Sequence, residues 1–216
     1  MLKAIIFDMD GVLIDSIGPI WESFSIILKD EGVHFSNDYI KKHLARSLRD
    51  NLQAWKTEFG IKDYDLMEFS KKAGEIQFEL IKKEKVNPSL LNLLQEFKKN
   101  NVHCAVATSS LRWRTEKILD LLNIKSFFHV LVTADDIKNH KPAPDVFLEV
   151  ANKLNINPER CVVIEDAVNG IDAAKNARMK TIGLITKYHS ADELKHADIV
   201  IKDFYELNVE KIKKLF

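Results

Sequence analysis

Between residues 88 and 201, short apolar runs alternate with amphipathic stretches, and this alternation constrains the fold more than any other feature of the chain. Apolar runs cover 102–108, 129–133, 161–164, 181–185 and 199–201, while helical periodicity covers 88–100, 111–122, 142–154 and 168–177. Runs that are uniformly apolar and separated by helices predict strands buried on both faces and joined by crossovers. The expected class is α/β, a Rossmann-like doubly wound, mostly parallel sheet with helices on both faces. Residues 4–7, Ala-Ile-Ile-Phe, supply one more such strand at the start.

From residue 17 to residue 85 the pattern changes to helical periodicity with high charge, broken at Gly18, Gly32 and Gly60. Ile20, Trp21, Phe24, Ile27 and Leu28 share one helical stripe, and Leu48, Leu52, Trp55 and Phe59 share another. The predicted organisation is a core of residues 1–16 and 86–216 with a helical cap of residues 17–85 inserted after the first strand. Natural hinges fall near 16–18 and 85–88, and access to a site would depend on their motion. A chain of 216 residues is long enough for both parts.

Lys and Arg together number 32, as do Asp and Glu, so no strong basic field draws nucleic acid or anionic lipid. No apolar run reaches membrane-spanning length and no basic-then-apolar leader opens the sequence, so a cytoplasmic protein with no membrane partner is expected. Monomer and homodimer both remain open. Cys104 and Cys161 sit inside apolar runs and read as reduced core residues, a disulfide or reactive thiol being the lesser alternative.

Polar residues punctuate the strand ends. The first strand stops at Asp8-Met9-Asp10-Gly11, and the glycine permits a turn that would bring both carboxylates to one place. Close like charges require a cation or a proton between them, unless the aspartates merely cap the next element. Thr108-Ser109-Ser110 follows the second strand and suits either an anion site or an ordinary helix cap. Lys141, in HKPAPD, is either a positive charge beside a phosphate or carboxylate or a solvated surface lysine. Glu165-Asp166 ends another strand and suits a hard cation, or Asp166 caps the helix that follows.

The order DMDGVLIDS, VATSS, HKPAPD, VVIEDAVNGIDAA resembles the haloacid dehalogenase-like hydrolase superfamily over nearly the whole chain, in the branch of β-phosphoglucomutase and the small sugar-phosphate phosphatases. The resemblance implies that Asp8 is the nucleophile of an aspartyl-phosphate mechanism and Asp10 the general acid/base, whose backbone carbonyl also ligates metal. It implies a Mg²⁺ site completed by Asp8 and Asp166, with Glu165 bound directly or through water. Thr108 and the backbone N–H of Ser109 become the phosphate cradle, and Lys141 neutralises nucleophile and phosphate. A carboxylate at position 10 disfavours dehalogenase chemistry. The implied partner is a small phosphorylated metabolite.

Within the cap the resemblance departs from the mutase pattern. Ile20, followed by Trp21, stands where a His is expected, and the nearest His is His34. Arg46 and Arg49, in LARSLRDNL, are the nearest counterparts of the basic residue that grips a distal phosphate, and read equally as solvated helix charges. These departures favour a phosphatase over a phosphomutase, with a non-catalytic phosphometabolite-binding module as a third alternative. His140 and Arg178 also replace glycines of the family pattern.

Overall fold

A computed structural model describes residues 1–44, 46 and 48–216 of the chain. The strands are β1 (Ala4–Phe7), β2 (His103–Ala107), β3 (Val130–Val132), β4 (Cys161–Glu165), β5 (Lys180–Leu184) and β6 (Ile199–Ile201). The α-helices are α1 (Ile17–Ile27), α2 (Asn37–His43), α3 (Leu48–Phe59), α4 (Leu66–Ile81), α5 (Pro88–Lys99), α6 (Arg112–Leu121), α7 (Asp145–Leu154), α8 (Val168–Asn176) and α9 (Val209–Lys213). The chain divides into two compact units, residues 1–14 with 84–216, and residues 15–83.

In the larger unit the strands form one sheet in the order β3-β2-β1-β4-β5-β6, and every pairing is parallel. Its central strand β1 has no exposed residue, which is why Ala4–Phe7 carries no alternation. Ala4, Ile6, Ala105, Ala107 and Val163 face Val146, Phe147 and Val150 of α7 and Ala173 and Ala174 of α8. On the opposite face Phe7 meets Phe97 of α5 edge to face, with ring centroids 6.4 Å apart. Helices therefore cover both faces, as expected of the doubly wound class.

Chain order reverses at β1, with β2 on one side and β4 on the other. The register pairs Phe7 with both Val106 and Ile164, so Asp8, Thr108 and Glu165-Asp166 all emerge at the same edge. Ligands bind at such a switch point in open α/β sheets, because the diverging loops leave a crevice there.

Two local expectations shift. The helix predicted from residue 142 begins at Asp145, since Ala143 precedes Pro144 and the residue before a proline disfavours helical dihedrals. Arg178, where a glycine is usual, adopts φ of 60° just beyond α8 and caps it through its N–H to Lys175.

The smaller unit holds α1 to α4 around aromatic rings. Trp55 is fully buried, with Phe35 at 4.7 Å and Trp21 at 5.9 Å between centroids. Both cysteines are free and buried, and burial pushes each thiol up to about 12, which leaves them unreactive core groups. Among the described residues no helix is long and apolar enough to cross a membrane.

Candidate active site

Lys141 lies at the centre of the strand-end cluster. Its ammonium donates to Asp8 Oδ1 at 2.6 Å and to Glu165 Oε1 at 2.8 Å, and to the carbonyl of Ala107 at 3.4 Å. With 5% of its side chain exposed it is not a solvated surface lysine. Burial disfavours its charge, yet Asp8 and Glu165 outweigh burial and hold the ammonium well above the usual lysine range. The site therefore contains one permanent positive charge.

The carboxylates around it are in the opposite situation. Burial, reinforced by Glu165 and Asp10 and opposed by Lys141, pushes Asp8 up to about 7. Burial and the charges of Glu165 and Asp8 raise Asp166 well above the usual carboxylate range. Asp166 Oδ2 is buried and has no hydrogen-bond partner among the described residues. An oxygen so placed is costly until something positive meets it. Ionised, Asp8, Glu165 and Asp166 set three negative charges against one ammonium, an excess of two.

One sequence alternative ends here. Asp166 does not cap α8, whose N-cap is Ala167 without a side-chain bond. Glu165 has partners on both oxygens, Oε1 accepting from Lys141 and Oε2 from the Ala167 N–H, each at 2.8 Å, contacts that adjacent acidic letters could not announce.

Glycines make room for both carboxylates. A Cβ at Gly11, where φ is +90°, would lie 2.1 Å from Asp166 Oδ2, and one at Gly170 would lie 1.8 Å from Glu165 Oε1. Within a helix Gly→Ala ordinarily gains up to about 1 kcal/mol. At Gly170 the sign reverses: Gly170→Ala is expected to displace Glu165, lower kcat at least about tenfold and lower the melting temperature. Enzyme assay and calorimetry on the purified variant check this, and a stabilised, fully active variant would refute the contact.

Asp10 belongs to a second cluster. Its carboxylate accepts from Arg114 Nη1 at 2.8 Å and Nη2 at 2.6 Å, and from Ser110 Oγ at 2.8 Å. Thr108 is buried, and its Oγ1 accepts the Ser110 N–H at 3.1 Å, while Ser109 is exposed beside it. Neither serine caps α6, whose N-cap is Leu111. Arg114 was missed by sequence reasoning. Its signal is an arginine four residues before the buried Ile118, on the stripe α6 turns inward.

Within the smaller unit, Trp21 is 5% exposed and spent on the aromatic core, and Ile20 is half-buried. Arg46 pairs with Glu58 at 3.4 Å, and Arg49 is exposed.

A lysine bridging buried carboxylates at the switch point of a parallel sheet marks the ligand crevice of an open α/β fold. Comparison with known proteins gives the family: a model of haloacid dehalogenase-like hydrolases matches residues 5–184, and the chain belongs to that family. It is 32% identical to the phosphorylated carbohydrates phosphatase of Thermotoga maritima, over 97% of this chain and 99% of that one. It is 28% identical to β-phosphoglucomutase of Bacillus subtilis, over 97% and 93%. The crystal structure of β-phosphoglucomutase from Clostridium difficile superposes with a TM-score of 0.85 at 26% identity, over 99% and 96%.

Proposed function

We propose that the protein is a Mg²⁺-dependent phosphatase of small phosphomonoesters, sugar phosphates above all, acting through an aspartyl-phosphate. The observation that carries this reading is the buried Asp166 oxygen without a hydrogen-bond partner among the described residues, beside the carboxyls of Asp8 and Glu165 that share Lys141. A divalent cation would meet that oxygen and favour the ionised carboxylates, whereas dehalogenation needs none.

Asp8 attacks phosphorus, the ester P–O bond breaks, and Asp10 gives its proton to the departing alcohol. Asp10 then takes a proton from water as that water attacks phosphorus, the bond to Asp8 breaks, and inorganic phosphate leaves. Lys141 holds Asp8 in place and offsets charge on the phosphoryl oxygens. The Thr108 hydroxyl, accepting from Ser110, keeps its own proton to donate, and the Ser109 N–H completes the cradle.

Asp8, Asp166 and the backbone carbonyl of Asp10 would hold Mg²⁺, an ion that binds through one or two carboxylates and retains several waters. It would supply charge neutralisation at the transferred group. Among the described residues no three His, Cys, Asp or Glu side chains form a ready-made cation cluster.

Asp8 near 7 in the folded protein compares with an ordinary 3.8, so the folded state is favoured below pH 4 and loses that contribution as pH rises through about 7. A cation favouring the ionised form restores most where most is lost. Saturating Mg²⁺ is expected to raise the melting temperature by about 5–10 °C at pH 8 and by under about 2 °C at pH 5. Equal shifts at both pH values would remove Asp8 from the metal site.

The functional test is phosphate release from a panel of sugar phosphates with and without Mg²⁺. A phosphomutase is the second reading, favoured by the likeness to β-phosphoglucomutase. Incubation of β-glucose 1-phosphate with a bisphosphate activator separates the two, glucose 6-phosphate indicating the mutase and free phosphate the phosphatase. No phosphate release from any ester would favour the non-catalytic module. The two free, buried cysteines accord with a cytoplasmic location.

A further inference from the structure

The guanidinium of Arg114 grips Asp10 through both carboxylate oxygens, at 2.8 and 2.6 Å, in a part of the site where the two side chains are 11% and 21% exposed. Arg114 Nη1 also donates to Ser110 Oγ at 2.5 Å, and Ser110 Oγ donates to Asp10 Oδ2. Ser110 in turn gives its N–H to Thr108 Oγ1. A continuous chain of bonds thus runs from the phosphate cradle through Ser110 to Asp10, and Arg114 closes it one helical turn further on. Such an ion pair adds little to stability, since desolvation offsets most of the attraction. What a planar fork does supply is orientation, because two parallel bonds fix the plane of a carboxylate where one would let it swing.

We propose that Arg114 is a positioning residue that fixes the Asp10 carboxylate relative to the phosphate cradle, so that its proton is delivered to the leaving oxygen. This rests on the assignment of Asp10 as general acid/base. Its effect is confined to proton delivery. When the ester P–O bond breaks in an alkyl phosphate, the departing oxygen must take the proton of Asp10. A nitrophenolate leaves with the bonding pair and needs none.

The test compares the first chemical step for two substrates in saturating Mg²⁺. Rapid quench follows sugar release from a hexose phosphate, and stopped flow follows the nitrophenolate burst from p-nitrophenyl phosphate. In Arg114→Met the hexose step is expected to slow by about 100-fold and the burst by less than about threefold, with KM nearly unchanged. Arg114→Lys keeps the charge and loses the fork, and its hexose step should slow by about tenfold. This second variant decides the matter if the first does not fold.

Equal slowing of both substrates would overturn the proposal, placing Arg114 on the phosphate or in the fold at large. So would no slowing, or acceleration, which would make the pair a restraint. Asp10→Asn is the control. If it shows no difference between the substrates, the assignment of Asp10 fails; if it shows the difference and the Arg114 variants do not, the positioning role alone fails.

Discussion

Asp8→Asn is expected to abolish turnover, by at least about 10⁴-fold, and to raise the melting temperature of the metal-free protein at pH 8. Both effects come from the same atoms. Asparagine matches aspartate in shape and offers Lys141 an acceptor, but its amide cannot form the acyl-phosphate. The carboxyl of Asp8 is pushed up to about 7 in spite of Lys141, so its surroundings on balance disfavour its charge. Above that pH a neutral replacement removes a cost, and a gain of about 2–4 °C follows. Phosphate release, phosphoryl label on the protein and calorimetry would be read on one preparation. An active variant would sink the nucleophile assignment, and an inactive variant that melts much lower would attribute the loss to unfolding.

Lys141→Met is expected to fail in both respects. The methionine fills most of the same volume, yet Asp8 and Glu165 lose the cation that each approaches within 3 Å. Removing one partner from a buried charge set costs about 3–5 kcal/mol, or a fall of about 10 °C for a chain of this size. The fall should be largest at pH 8 and much smaller at pH 5, where the abandoned carboxylates take up protons instead. Activity at pH 7 should drop by at least about 10³-fold even with saturating Mg²⁺, because in the proposed reaction the ammonium also offsets the phosphoryl charge. A variant as stable as the parent at every pH would show that Lys141 balances nothing.

The sheet was legible because β1 and β4 are buried on both faces, and burial of that kind leaves an unbroken apolar run. The strand-end aspartates were legible for a related reason, since carboxylates have no place in such a run unless the strand has ended. Less visible was anything decided by packing across the sheet. Glu165 and Asp166 are neighbours of like charge, and only the positions of Lys141 and the Ala167 N–H separate the lysine holder from the orphaned oxygen. Arg114 reads as one more charge on a highly charged helix until the site brings it against Asp10, more than 100 positions earlier. Arg46, likewise, finds Glu58 near the far end of α3, 12 positions on, a pairing no local spacing announces.

Gly170 bears on how the site behaves when warmed. The slot that receives Glu165 is walled there by helix backbone instead of by a side chain. Side chains change rotamer readily as temperature rises, whereas a helix turn moves only when its hydrogen bonds give way. The oxygen that anchors Lys141 is thus seated on the slower of these two clocks, and the lysine should hold its bearing on Asp8 until α8 itself begins to melt.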